Sequence, residues 1–526
     1  MHRTNPSPPP REIELKLEWI DGTVLDLLAH PLLRQAEPAP DRSGPMRTTY
    51  YDTPDLALRR AGLSLRIRER DGRFVQTLKA EGRASGLALD RDEWEWPLSE
   101  PLLDLGATAT TPLARLLADP ETVRSLRPVF TLEADRRVFE LSCEDALVEI
   151  SLDLARVVTG TQAAPFAEIE LELKRGDVPA LFHLARDFAK SAPLRLSLLT
   201  KSERGYRLLP DPDAEDAVRA APIAVPPQWS SQEAFQAIAR ACLVQIVRNE
   251  EIVRRSRAPE ALHQMRVGTR RLKAAIAFFA DLLDDRESQA AMKDLRWIGK
   301  RLGRVRDIDV YADTLRASAH PPDRDALEKA EKERRRAYEA LLEALEKPRF
   351  RGAILRLAAW VEAGRWRTRR KAYMREARAV AVSDRARKEL KQRWKRVRKA
   401  SKKIAGMGDG RRHRLRIRIR ELRYGTEFFA ATFPGRKAAR RHRSMLSLFQ
   451  HLQDALGELN DLAVAKELFP DRAEDKRSEA RRERLLSRAE GFGRRLRKSK
   501  AFWSRKAVEP ESPALNNAVR AQIRSP

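Results

Sequence analysis

Six short segments between residues 12 and 173 alternate charged and apolar side chains with a period of two, the period of a β-strand. In REIELKLEW, Glu12, Glu14 and Lys16 share one face and Ile13, Leu15 and Leu17 the other. LSLRIRER sets Arg66, Arg68 and Arg70 against Leu65 and Ile67, and VQTLK puts Lys79 on the face of Val75 and Thr77. RDEWEW sets Arg91, Glu93 and Glu95 against Trp94 and Trp96. LVEISLDLA sets Glu149, Ser151 and Asp153 against Val148, Ile150 and Leu152, and FAEIELEL sets Glu168, Glu170 and Glu172 against Ile169, Leu171 and Leu173. Like charges on one strand face repel unless opposite charge lies between them. Two arrangements answer that demand. The sheet can stay open, with its polar face in water, or close into a barrel whose acidic and basic strands face each other across a lumen. In the barrel the apolar faces point outward and need helical cover. DGTVLDLLAHPLLRQA, LARLLADPETVRSL and DVPALFHLARDFAKSA are the expected covers.

The pattern changes along the chain. Residues 1–210 carry 29 basic and 33 acidic side chains, whereas the remainder carries 75 and 43. PDPDAEDAVRAAPIAVPPQ, residues 210–228, has neither strand nor helix period and reads as a linker. From Trp229 onward Ala, Leu, Arg, Lys and Glu dominate and the period becomes helical, with Ser230-Ser231-Gln232-Glu233 as a helix start. The expected organisation is a strand domain over 11–209, the linker over 210–228 and a helical domain over 229–508. Residues 1–10 and 509–526 are expected to be disordered ends. Two cysteines, Cys143 and Cys242, exclude a disulfide scaffold. No apolar run reaches the ~20 residues of a spanning helix, and the N-terminus lacks a secretory pattern. A soluble, cytoplasmic protein with no membrane partner is expected. Its net charge of +28 favours polyanionic partners.

A lumen lined with both signs would suit a phosphate chain and its counter-cation. Arg and Lys hold phosphate oxygens, and clustered carboxylates hold hard cations such as Mg²⁺ or Mn²⁺. The ordered motifs ExExK (Glu12 to Lys16), YYDTPDLALRRAGLSLRIRER, TLK, AEIELEL and LTKSERGYRLL resemble those of the CYTH superfamily, the triphosphate tunnel metalloenzymes, over about residues 8–212. The resemblance implies an eight-stranded antiparallel closed tunnel that acts on triphosphates with Mg²⁺ or Mn²⁺. It implies Glu12, Glu14, Asp153, Glu168 and Glu170 as metal-binding acids, with Glu172 ranked below them. It implies Lys16, Arg66, Arg68, Lys79 and Lys201 as phosphate ligands, together with one of Arg136 and Arg137. Glu12, Glu14, Lys16 and Lys201 would form the catalytic set. Arg91 and Glu93 are less certain parts of the lining. Trp94, Trp96, Ile169 and Leu171 read as outward packing.

The helical half contains a weak duplication. HQMRVGTRRLKAAIAFF from His263 aligns with HRLRIRIRELRYGTEFF from His413. His263, Arg266, Arg270 and Lys273 repeat the spacing of His413, Arg416, Arg420 and Arg423, so each set lies along one helix face. Leu302-Gly303 with Asp307 follows the first copy, and Leu456-Gly457 with Asp461 the second. A solvated face would interleave Glu with Lys, whereas these stripes are nearly all basic, which favours a bound polyanion. Asp307 and Asp461 read as structural. The repeat resembles the CHAD domain, which implies an all-helical domain of two pseudo-symmetric bundles. That family is associated with inorganic polyphosphate, and the eight stripe residues would bind it.

The combined expectation is a multidomain α+β chain. It would hydrolyse inorganic triphosphate in the tunnel and bind polyphosphate on the helices, with association to polyphosphate granules as one location. The alternatives are a class IV-type adenylyl cyclase and a non-catalytic polyphosphate-binding protein. No RNA or DNA motif supports a specific nucleic-acid partner.

Overall fold

The computed structural model describes the backbone of residues 11–22, 24–80, 86–143, 145–160, 162–210, 217–316, 324–468 and 476–504. The expected ends at 1–10 and 509–526, residues 211–216 of the linker and the Asp461 side chain lie outside the described residues.

The alternating segments form strands. These are β1 (Arg11–Trp19), β2 (Glu37–Pro38), β3 (Gly44–Asp52), β4 (Leu63–Arg70), β5 (Arg73–Ala80), β6 (Leu89–Leu98), β7 (Arg127–Cys143), β8 (Ala146–Thr159), β9 (Gln162–Arg175) and β10 (Leu194–Ser197). Neighbours are antiparallel in the order β1-β6-β5-β4-β3-β7-β8-β9, and β9 pairs back onto β1. The sheet is therefore a closed eight-stranded barrel; β10 adds to β1 and β2 to β7. Closure excludes the open sheet.

The outward face is apolar and covered. Short helices α1 (Val24–Leu28) and α2 (Pro31–Gln35) fall in the first expected cover segment; α3 (Ala57–Arg60) lies in none of them and packs through Leu58; α4 (Ala114–Leu117), α5 (Pro120–Ser125) and the longer α6 (Pro179–Phe188) fall in the other two. Leu63, Leu65 and Leu78 pack with Leu58 and Leu113, and Trp94 and Trp96 lie against that cluster. Ile169 and Leu171 are fully buried. These residues face away from the lumen; the leucines and Ile169 are buried there, and Trp94 and Trp96 are partly covered.

One end of the lumen holds a plug. Helix α7 (Lys201–Tyr206) starts with a capping box between Thr200 and Glu203. Gly205 lies against the ring of Phe130; a β-carbon there would sit 2.0 Å from a ring atom, so only glycine fits. Tyr206 donates to Asp52 at 2.7 Å, and Asp52 also accepts from the backbone of Thr53, Leu58 and Arg59. The Asp of YYDTP and the Tyr of TKSERGY thus tie the plug to β3.

The remaining helices are α8 (Ser231–Ser256), α9 (Pro259–Phe278), α10 (Arg286–Arg316), α11 (Arg324–Glu346), α12 (Pro348–Ala363), α13 (Ala372–Ala379), α14 (Val382–Ala400), α15 (Asp409–Phe428), α16 (Arg436–Leu468) and α17 (Lys476–Lys498). No described helix is long and apolar enough to cross a membrane. Ser230 caps α8, accepting from Glu233 N at 3.2 Å. By contacts the chain divides into two units. One is Met1–Ala220 with Arg240–Thr269 and Arg286–Arg365; the other is Ala221–Ala239 with Arg270–Asp285 and Trp366–Pro526. Within the first, α12 packs on α6 and β10, and Asn249 of α8 bonds both backbone groups of Val218. Helices α9, α10 and α11 have 20, 31 and 23 residues, and α15, α16 and α17 have 20, 33 and 23, so the duplication extends over three helices.

Candidate functional site

The lumen face carries two coupled charge clusters. The first centres on Asp153 of β8 and Glu168 and Glu170 of β9, whose carboxylate oxygens lie within 4.8 Å of one another. Lys201 enters from α7 and places Nζ 2.8 Å from Asp153, 2.9 Å from Glu168 and 2.6 Å from Glu170. Lys16 lies 3.0 Å from Glu168 and also pairs with Glu170. Arg136 bridges, bonding both oxygens of Asp153 at 2.7 and 2.6 Å and Glu170 at 2.7 Å. Register decides the open choice between the two arginines: Arg136 pairs with Asp153 across β7 and β8 and shares its face, whereas Arg137 pairs with Leu152 and is exposed.

The second cluster lies on β1, β4, β5 and β6. Lys79 is 2.5 Å from Glu12 and 3.1 Å from Glu93. Arg91 pairs with Glu12 at 3.2 Å and with Glu14. Arg66 is 3.6 Å from Glu93, and Arg68 pairs with Glu95 at 3.1 Å. Arg91 and Glu93, ranked low from sequence, are full members of the lining.

Burial disfavours charge on Lys16, Lys201, Glu170, Asp153 and Arg68, and their neighbours decide which way each pKa moves. Burial alone would push Lys16 down, but Glu14, Glu168 and Glu170 outweigh it and its pKa is raised. Lys201 is likewise raised against its burial by Asp153, Glu168 and Glu170. Burial opposes charge on Glu170 and Asp153 too. Lys16, Lys201 and Arg136 drive Glu170 well below the carboxylate range, and Arg136 and Lys201 lower Asp153. Arg68 goes the other way: burial, with Arg66 and Arg136 nearby, lowers its pKa. Glu95 and Glu93 offset that only in part. Glu172 lies at a strand end, pairs with Lys174 at 2.7 Å, and is pushed by burial up to about 7.

Three buried carboxylates offering oxygen donors fit a hard divalent cation. Glu12 and Glu14 share the lumen outside that trio: Glu12 stands with Lys79 and Arg91, and Glu14 links Arg91 to Lys16, 4.0 Å away, which the trio also holds. Two lining residues escaped the sequence reading. Arg204 reaches Glu168 at 3.4 Å and covers the Phe166 ring, and its place three residues after Lys201 on one helix was the available signal. Arg42 pairs with Glu140 and Glu149 at the rim, and nothing in its local sequence marks it.

On the helices, the apolar stripes Met265, Thr269, Leu272, Ile276 and Leu415, Ile419, Leu422, Thr426 are buried. Of the basic stripes, His413 is exposed and the rest are partly exposed. Arg266 passes over Gly303, 3.7 Å from where a β-carbon would be, and Arg416 passes over Gly457 at 3.2 Å. The Leu-Gly of each copy thus makes room for the arginine of its own stripe. The copies differ beside these pairs. Arg266 faces Asp307 at 3.7 Å, and His413 faces Asn460 at 3.0 Å. Within the second unit, Glu427 pairs with Arg271 at 2.6 Å and Arg423 at 3.0 Å.

Family comparison agrees with this anatomy. Residues 10–206 match the CYTH domain and residues 237–470 the CHAD domain. The chain joins a CYTH domain to a CHAD domain. An inorganic triphosphatase of Haemophilus influenzae is 32% identical over 162 residues, 30% of this chain and 45% of that protein. The CYTH–CHAD chain therefore matches less than half the length of this relative. Among solved structures, the CHAD domain of Ricinus communis is 26% identical, covers 59% of this chain and 97% of its own, and has a TM-score of 0.42. A Hippeastrum protein named for adenylyl cyclase and described by a dominant triphosphatase activity is 19% identical, covering 38% and 98%, with a TM-score of 0.29.

Proposed function

We propose that the barrel hydrolyses inorganic triphosphate with Mg²⁺ or Mn²⁺, and that the CHAD helices bind inorganic polyphosphate. The observation that carries the first part is the lumen itself. A carboxylate trio that can hold a divalent cation shares one bore with Arg66, Arg68, Lys79 and Arg136. The triphosphatase activity of the Haemophilus relative points the same way.

In this reading Arg66, Arg68, Lys79 and Arg136 grip phosphate oxygens, with Arg137 outside the bore. Asp153, Glu168 and Glu170 hold the cation, and Glu12 and Glu14 are the further acids of the bore. A bound divalent cation neutralises phosphate charge and promotes deprotonation of water. Lys16 and Lys201 have raised pKa values, so they remain ammonium groups at neutral pH. They therefore donate to phosphate oxygens or orient water and do not serve as bases.

The test is release of phosphate from triphosphate, with Mg²⁺ and Mn²⁺ in separate arms. ATP runs in parallel and is assayed for both phosphate and cyclic AMP. Turnover of triphosphate without cyclic AMP is expected. Arg68→Ala should lower kcat/KM by about 10- to 100-fold, the worth of one hydrogen bond to a charged group. No turnover with either metal would leave a non-catalytic binding protein, and cyclic AMP as the main product would make it a cyclase.

Polyphosphate binding rests on the basic stripes His263, Arg266, Arg270, Lys273, His413, Arg416, Arg420 and Arg423. Tighter binding of polyphosphate than of RNA at matched salt is expected, and equal binding would reduce the stripes to a general polyanion surface.

A further inference from the structure

The plug helix α7, which carries Lys201, has only six residues. A helix that short does not hold itself. Its start is fixed by the capping box, and one side by Gly205 on Phe130 and Tyr206 on Asp52. A further side rests on one turn of α8, which lies inside the stretch matched to the CHAD domain. Glu203 uses Oε2 for the capping box and accepts from Arg248 on Oε1 at 3.4 Å. One turn later, at the C-cap of α7, Arg207 donates to Glu251 at 2.5 Å. Glu203 and Arg207 are four apart in the plug, and Arg248 and Glu251 three apart on α8, so each couple shares a helix face. The two ion pairs have opposite sense. An acid and then a base in the plug meet a base and then an acid on α8, which fixes the plug's direction as well as its distance.

That turn of α8 is itself anchored around its axis. Asn249 is fully buried; its amide donates to Val218 O at 2.7 Å and accepts from Val218 N at 2.9 Å. Glu250, 2% exposed, lies 3.2 Å from Arg195 of β10. Successive helix residues stand about 100° apart, so Arg248 to Glu251 sweep about 300°. Plug, linker and barrel strand each take a share of that sweep, all within the first unit. α8 cannot turn there without breaking buried contacts.

The consequence reaches Lys201, whose Nζ stands 2.6–2.9 Å from three carboxylates and moves with the tilt of α7. Misplacing a reacting group by about 1 Å costs up to about 100-fold in rate. We propose that Arg248 and Glu251 are positioning residues for Lys201, acting through Glu203 and Arg207. A helix of the CHAD domain then completes the CYTH site. Partly exposed ion pairs add little to global stability; here their part is to set geometry. The effect on catalysis rests on the triphosphatase reading; the clamp on the plug does not.

The experiment uses the full chain and three variants, Arg207→Met, Glu251→Met and the two together. Hydrogen exchange over residues 201–207 should be up to about fivefold faster in each single variant, with exchange elsewhere unchanged. The double variant should be no faster than either single one, because one shared contact is lost only once. Arg207→Lys, which keeps the charge, should exchange like the parent. With triphosphate, kcat should fall about tenfold in the Met variants while KM stays within about twofold. The substrate grip belongs to Arg66, Arg68, Lys79 and Arg136, none of them on α7. Unchanged exchange over 201–207, additive effects in the double variant, or acceleration spread over the whole chain would overturn the clamp. A loosened plug with the parent's kcat would overturn the positioning role. A parent chain without turnover would count against the triphosphatase reading alone, and the exchange arm would still decide the clamp.

Discussion

Replacing Lys201 with Met asks whether the trio is a cation site. The ammonium stands 2.6–2.9 Å from three carboxylates. At an effective dielectric constant of ~20, each contact is worth about 6 kcal/mol of gross attraction. Much of that offsets the desolvation of buried charge, so removing one partner from such a cluster costs a net ~3–5 kcal/mol. Without the ammonium, carboxylates within 4.8 Å repel by about 3–4 kcal/mol per pair at the same dielectric. One of them should then take up a proton near neutral pH. Met keeps most of the volume, so packing changes little. The chain has more than one unit and is not expected to melt as a two-state system; the sensitive readout is hydrogen exchange over 146–175, which spans β8 and β9. Exchange there should accelerate in the metal-free variant. Mn²⁺ should restore protection, by about 2.7 kcal/mol at a hundredfold excess over its Kd. The restoration should exceed the effect of Mn²⁺ on the parent chain, where Lys201 competes for the same oxygens. A variant that exchanges like the parent and gains nothing from Mn²⁺ would refute the electrostatic account and the metal assignment together.

Three further outcomes follow from named contacts. Gly205→Ala should drive the plug off Phe130, because its new methyl would overlap a buried ring; loss of triphosphate turnover with retained polyphosphate binding is the expected pattern. Gly457→Ala should displace Arg416, whose Nη2 would be 3.2 Å from the new carbon, and so weaken polyphosphate binding. Gly303→Ala, at 3.7 Å from Arg266, should leave it nearly unchanged, and equal effects would count against the paired arrangement. Glu250 is pushed up to about 7, first by burial and then by Glu18 and Glu346, against the pull of Arg195 and Arg254. A raised carboxyl pKa means the folded state holds its proton more tightly than the unfolded one. Stability is therefore full below about pH 4.5 and falls by about 3 kcal/mol as pH rises to 7. Glu250→Gln should raise the urea midpoint at pH 8 and not at pH 4. A lower midpoint at pH 8 would show that the charged form is the one the fold prefers.

Strand alternation sorted the lumen from the wall because a strand has only two faces. One parity places Glu12, Glu14, Lys16, Arg66, Arg68, Asp153, Glu168 and Glu170 together, and the barrel's closure turns that parity inward. Helix spacing did the same for the buried stripes on α9 and α15. Periodicity does not report register across the bore. That Lys79 meets Glu12 and Glu93, or that Arg136 and not Arg137 meets Asp153, follows from how β5 pairs with β6 and β7 with β8. Register also sets Lys16 opposite Glu170 and Glu14 opposite Glu172, so that Glu14 reaches the carboxylate trio through Lys16. Arg195 and Arg254 were beyond reach for another reason: their partners Glu18 and Glu346 lie on other elements, and no local pattern marks a side chain whose meaning depends on tertiary packing.

The pairing across the bore has a consequence for binding order. Nearly every lumen cation is matched to a lumen acid, so the bore has little net field with which to draw in a lone phosphate chain or a lone metal ion. A triphosphate that takes Arg136 or Lys201 frees Asp153 or Glu170, and a dication that takes those acids frees the cations in return. Each ligand thus removes the competitor of the other. Thermodynamic reciprocity requires the two affinities to rise together by the same factor. On the proposed triphosphatase reading, balanced charge is what would admit a metal and its phosphate as a pair.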